Sequence, residues 1–184
     1  VPFVWGDLEE RNFKIIRERL TTTCLQGYSK LISSTKPFEV VIFTDFSQND
    51  RAASGVVFIK DYEEKSLEVA FFWSKLLSIS MKNKPPFLCE ISAAILCLLS
   101  LKSVLAGRCI SLFVDNLCAC RILQQRLKVC DEFSNGILHR LLLSIENIPF
   151  TVAYTNSKNQ VADFLSRQPQ TEEADVDLYS YSYS

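Results

Sequence analysis

Residues 109–116, Cys109-Ile110-Ser111-Leu112-Phe113-Val114-Asp115-Asn116, are almost wholly apolar up to Val114 and then turn acidic. A short run of this kind predicts a strand buried on both faces. The residues from Asn116 to Gln125 suit a short helix, so the chain passes directly from strand into helix. That succession belongs to an α/β fold with parallel strands, since a parallel neighbour is reached only through a crossover.

Working upstream, Phe38 to Thr44 is a second β-rich apolar run, and it too ends on an acid, Asp45. Ala53 to Lys60 and Leu67 to Trp73, joined by the charged segment Asp61 to Ser66, read as two more strands in hairpin succession. Pro85-Pro86 blocks a helix until Phe87, after which Leu88 to Leu105 carries a helical pattern stopped by Gly107. Before the first strand, Leu8, Phe13, Ile16 and Leu20 recur at near-helical spacing, predicting an amphipathic lead-in helix over residues 7–20. A Ser/Thr/Lys stretch over 29–36 separates it from the strand. Downstream, Asp131 to Asn147 places Phe133, Ile137, Leu141, Leu142 and Ile145 on one stripe, and Pro149 to Tyr154 reads as the last strand. Asn159 is the expected N-cap of a short helix through Arg167. Beyond Gln168 the chain is acidic and then Tyr/Ser-rich, and disorder is expected there.

A chain of 184 residues fits one α/β domain with a full core. The longest apolar stretch, around Ile91 to Leu101, is too short to span a bilayer, so no membrane partner is expected. The sequence opens on Val1 with no leader-like segment, which suggests a piece of a longer polypeptide. Seven cysteines never form a Cys-x-x-Cys pair and there is one histidine, so zinc is not expected and the thiols read as core filler in a reducing compartment. Glu172, Glu173, Asp175 and Asp177 all lie in the tail, which leaves the first 167 residues at a net +3. A mildly basic body is compatible with a nucleic-acid partner, although many proteins that bind none have such a charge.

Four carboxylates, Asp45, Glu90, Asp115 and Asp163, stand at predicted junctions. Each has an ordinary reading: Asp45 as a turn former, Asp115 as a helix N-cap, Glu90 opposing a helix dipole from the first turn, Asp163 facing solvent. Glu90, however, shares a helical face with Ala93, Ala94, Cys97 and Leu101, and a carboxylate on a buried stripe is costly unless paired or bound to metal. If the strands ending at Asp45 and Asp115 are parallel neighbours and the helix bearing Glu90 crosses them, three acids converge. Converging carboxylates repel unless a cation neutralises them, and oxygen-only ligands favour Mg²⁺ or Mn²⁺. Two such ions can clamp the attacking and leaving oxygens of a phosphodiester displacement.

At these residues the chain resembles the RNase H domain of gypsy-like LTR retrotransposon reverse transcriptases. Lys36 to Ser47 resembles the "kPFxxxTDAS" block, and Ala70 to Leu77 the "ixyaSrkL" block. Glu90 to Ala94 resembles "kELLAI", Phe113 to Asn116 the "xxTDHK" site, and Asn159 to Arg167 the terminal "NxvADaLSR". The likeness covers about residues 3–167. It implies an RNase H-like fold: a five-stranded mixed sheet of order 3-2-1-4-5 flanked by helices, with an N-terminal amphipathic helix. It also implies a division into residues 1–36, the end of a polymerase connection, 37–167, the RNase H-like domain, and 168–184, the tail.

The implied activity is hydrolysis of the RNA strand of RNA/DNA hybrids with two Mg²⁺ or Mn²⁺ ions. Asp45 would bridge the ions, with Glu90 and Asp115 on one and Asp163 on the other. Ser47, Asn116, Asn159 and Arg167 would contact substrate, a polymerase domain would be covalently attached, and the setting would be cytoplasmic virus-like particles, or nuclear if the element is domesticated. The family often carries a His ten residues before the last Asp, where this chain has Ala153, with Thr155 and Asn156 replacing the Pro and Gly that follow. The lone His139 lies off its helix's apolar stripe and reads as a surface residue. That departure implies a slow or impaired enzyme, and leaves two rivals: a silent structural domain of a polymerase, and a DNA-cutting nuclease of the same broad fold.

Overall fold

The computed structural model describes residues 5–34, 37–63, 65–125 and 136–163. The five strands are β1 (Glu39–Ser47), β2 (Ala52–Asp61), β3 (Ser66–Leu76), β4 (Cys109–Val114) and β5 (Thr151–Tyr154). They form one mixed sheet of order β3-β2-β1-β4-β5, as the sequence led one to expect. β1, β2 and β3 form an antiparallel meander, while β4 runs parallel to β1 and β5 parallel to β4.

Among the described residues the α-helices are α1 (Asp7–Ser33), α2 (Pro86–Ser100), α3 (Lys102–Leu105), α4 (Leu117–Gln124) and α5 (Ile137–Ser144). α2 is the centre of the core. Every residue from Cys89 to Leu98 is buried, and Ile91, Ala94, Ile95 and Leu98 share one cluster with Val40, Ile42, Val57, Ile59 and Leu112 of the sheet. α2 passes so close to β2 that a Cβ on Gly55 would sit 2.9 Å from Cys97 Sγ, which accounts for a glycine in mid-strand.

Several elements differ from their expected form. α2 begins at Pro86 rather than after the proline pair: Pro85 is its N-cap, and a proline in the first turn lacks only an N–H that the helix leaves unpaired anyway. The pattern read as one helix to Leu105 is broken at Leu101, whose backbone (φ −108°, ψ 1°) separates α2 from α3. β4 is buried on one face only, with Ile110, Leu112 and Val114 inward and Ser111 and Phe113 half-buried. Its other face continues an aromatic row in which Phe43 stacks on Phe113 at 4.8 Å and meets Phe58 edge-on at 5.8 Å. His139 is half-buried rather than on the surface. The expected helix over 131–147 is seen as α5, and residues 126–135 and 164–184, with the tail and Arg167, lie outside the described residues.

The largest difference is α1, which runs through the Ser/Thr/Lys stretch to Ser33. Tertiary contacts at its C-terminal end hold it helical. Leu31 is buried, Lys30 Nζ lies 3.0 Å from Glu68 and 3.7 Å from Asp61, and Arg108 Nη2 donates to the Ser34 carbonyl at 3.1 Å. Gly27 lies directly on β3, where an added Cβ would stand 2.1 Å from the Val69 carbonyl oxygen. Backbone cannot yield as a side-chain tip can, so Gly27→Ala should lower the unfolding free energy by about 1–3 kcal/mol despite alanine's better helix propensity. Urea denaturation reads this as a lower midpoint at unchanged slope, and an undiminished midpoint would mean that α1 is not held on β3.

Candidate metal centre

The parallel register between β1 and β4 pairs Glu39 with Cys109 and continues to Phe43 with Phe113. Two residues further along, Asp45 and Asp115 are level at the C-terminal ends of adjacent strands. Glu90 enters from the second turn of α2, beyond the first turn in which the dipole argument would have placed it. One carboxylate oxygen from each of Asp45, Glu90 and Asp115 lies within 4.8 Å of the others.

Asp115 does not cap the following helix. That task falls to Asn116, whose Oδ1 accepts a hydrogen bond from Ala119 N–H at 3.0 Å. Asn116, expected to touch substrate, is therefore committed through Oδ1 to α4. Ser47 donates to Asp50 at 2.6 Å in the β1–β2 turn. Asn159 is exposed and ends a 3₁₀ turn over Ser157–Asn159 that Asn156 caps, so the N-cap expected at Asn159 is one turn earlier.

Asp163 is outside the group of three, yet its charge acts on Glu90. It is brought to the site by two buried hydrogen bonds. Gln160 Nε2 donates to the Thr44 carbonyl at 2.8 Å, and Ser54 Oγ, paired in register with Asp45, donates to the Ala162 carbonyl at 2.8 Å. Sequence reading missed these fasteners, because a polar residue in a strand or turn carries no periodic signal of what it will bond. A depression of about 710 Å³ lined by Ser157, Lys158, Asn159, Gln160, Val161 and Asp163 opens beside them.

The Glu90 carboxylate is strongly perturbed. Burial, then the charges of Asp45 and Asp115, and lastly that of Asp163, push its pKa up to about 9, against a hydrogen bond from the Phe46 backbone that works the other way. Its Oε2 is buried and accepts no hydrogen bond among the described residues. An unpartnered buried carboxylate oxygen facing two further acids is the arrangement a hard divalent cation satisfies, and all three ligand atoms are oxygens. The residues present therefore fit such an ion.

No protein-family model matches the sequence, and no curated protein does so either. Among solved structures, the chain is similar to the prototype foamy virus protease–reverse transcriptase, with 19% identity and a TM-score of 0.50 over 74% of this chain and 21% of that one. A foamy viral protease–reverse transcriptase in complex with dsDNA matches with 11% identity and a TM-score of 0.49, over 83% of this chain and 30% of the other. LC11-RNase H1 in complex with an RNA/DNA hybrid matches with 13% identity and a TM-score of 0.46, over 70% and 92%. The chain thus spans less than a third of the foamy viral proteins it matches. Its five-stranded mixed sheet of order 3-2-1-4-5, flanked by helices and preceded by an N-terminal helix, is an RNase H-like fold.

The raised Glu90 pKa has a sign that can be checked. A carboxyl that titrates near 4.5 unfolded and near 9 folded holds its proton in the metal-free native state between those values. Its stabilising contribution is full below the unfolded value and is lost as pH rises through that window. Thermal melts of the metal-free protein should therefore show a falling Tm from pH 5 to pH 9, and Glu90→Gln should flatten the fall. An equally steep fall in the variant would show that Glu90 is not the group responsible.

Proposed function

We propose that this chain is a ribonuclease H domain of a retroelement reverse transcriptase, cutting the RNA strand of RNA/DNA hybrids with Mg²⁺ or Mn²⁺. The observation that carries the reading is the convergence of Asp45, Glu90 and Asp115 within 4.8 Å, with Glu90 Oε2 buried and unpartnered. Asp45, Glu90, Asp115 and Asp163 are the residues to hold two ions. When bound, such ions supply Lewis-acid activation of a phosphodiester and neutralise the charge that develops on its oxygens.

The chain's own contribution is positional. The β1–β4 register fixes two carboxylates side by side, α2 supplies the third from a rigid, fully buried segment, and the Gln160 and Ser54 hydrogen bonds bring Asp163 close. Preference for the RNA strand follows from contacts to successive 2′-hydroxyls across a shallow minor groove, which only that strand offers. Ser47, Asn159 and Arg167 are candidates for such contacts, and Asn116 through its free side-chain amide face. A gypsy-like LTR element as the source, a polymerase domain covalently joined to the lead-in helix, and cytoplasmic virus-like particles as the setting complete the reading. They rest on the sequence resemblance over residues 3–167. For a domesticated copy the setting is nuclear.

Ala153 and the loss of the Pro and Gly after it favour one second reading, a silent domain retained for structure. Incubation with an end-labelled RNA/DNA hybrid separates the two. The expected result is cleavage of the RNA strand that needs Mg²⁺ or Mn²⁺ and falls roughly a hundredfold or more in Asp45→Asn. Cleavage that survives this substitution would refute the site. Preferential cutting of duplex DNA would replace the activity with a DNA nuclease, and no cleavage at all would leave the silent domain.

A further inference from the structure

Besides Asp163, a serine in the turn between β5 and Asp163 reaches the metal centre. Ser157 Oγ donates a hydrogen bond to Asp115 Oδ2 at 3.0 Å, from 42 residues further along the chain. We propose that Ser157 is a positioning residue for the metal centre, orienting the Asp115 carboxylate toward the cation. The inference rests on the metal-binding half of the function proposed above, and not on the identity of the nucleic acid.

The turn is clamped on both sides of the serine. Thr155 N–H donates to the Val114 carbonyl at 2.9 Å, which ties its start to the strand that carries Asp115. Asn156 accepts from Lys158 N–H at 3.1 Å and its carbonyl from Asn159 N–H at 2.8 Å, closing the 3₁₀ turn. The Gln160 bond to the Thr44 carbonyl ties its end to the strand that carries Asp45. A hydroxyl on a turn fixed to both strands is held in place before any ion arrives, so little freedom remains to be lost when one does.

The chemistry suits this role. Asp115 is half-buried at the end of its strand, and the capping task that would otherwise fix a carboxylate there is performed by Asn116. One donated hydrogen bond sets the rotation of the Asp115 carboxylate and leaves its remaining lone pairs for a cation. It also draws charge away from a cluster of three acids, which eases their repulsion. Hydrogen bonds to metal-ligating groups commonly account for 10- to 100-fold of metal affinity.

Titration calorimetry with Mn²⁺ alone, on the full chain, tests this. Ser157→Ala should weaken binding roughly tenfold, and Ser157→Thr, which keeps the hydroxyl, should bind within about twofold of the parent. Because Ser157 is exposed, the metal-free melting temperature of the alanine variant should stay within about 2 °C of the parent. Asp45→Asn should abolish the same binding event, which assigns it to this site. The proposal is overturned if Ser157→Ala binds Mn²⁺ as the parent does, if threonine fails to restore affinity, or if the parent binds none. Mn²⁺ binding that depends on Ser157 in a protein that cuts no hybrid would sustain this inference while the nuclease reading fails. Hybrid cleavage by Ser157→Ala with the parent's metal dependence would do the reverse.

Discussion

The parallel pairing of β1 with β4 is the constraint on which the rest of the molecule depends. It buries Val40, Ile42, Leu112 and Val114 under α2, and its register brings Asp45 level with Asp115. A slip of one residue in β4 would turn Leu112 and Val114 outward and send Asp115 to the face opposite Asp45. Core and candidate metal centre are therefore fixed by the same ladder of backbone hydrogen bonds.

That coupling explains why a costly site persists. Glu90 stands among Ala93, Ala94 and Cys97 on a helix with no exposed side from Cys89 to Leu98, so it cannot turn to water without moving the centre of the core. Without a cation it holds its proton well above the usual carboxylate range, because burial and three neighbouring acids all disfavour its charge. The fold thus keeps a strained group in place through its apolar surroundings, as functional sites commonly do. The polar fasteners Ser54, Gln160 and Ser157 complete the arrangement from the far end of the chain, each bonding a backbone or carboxylate oxygen at or next to an acid.

Strand identity was readable because β-rich runs end abruptly on polar or charged residues, and a parallel pair because a strand that leads straight into a helix implies a parallel neighbour; the full strand order came from the resemblance. The ends of elements were less readable. α1 extends to Ser33 only because Gly27, Lys30 and Leu31 find partners on β2 and β3, which no local propensity encodes. The start of α2 at Pro86 follows from a chemical allowance for proline in the first turn, and the break at Leu101 from backbone geometry that the apolar pattern conceals.

Asp45, Glu90 and Asp115 stood out in the sequence because each acid interrupts or borders an apolar pattern, whereas Asp163 was marked by the resemblance carried by Asn159 to Arg167. Periodicity fixes which way a side chain faces within its own element, and so it marked Glu90 as buried. The tertiary structure alone decided that three of these acids share a space of 4.8 Å, that Asn116 and not Asp115 caps α4, and that Ser157 reaches back 42 residues to Asp115. Those outcomes depend on distances between segments far apart in the chain, which are set by sheet register and helix packing after the local elements have formed.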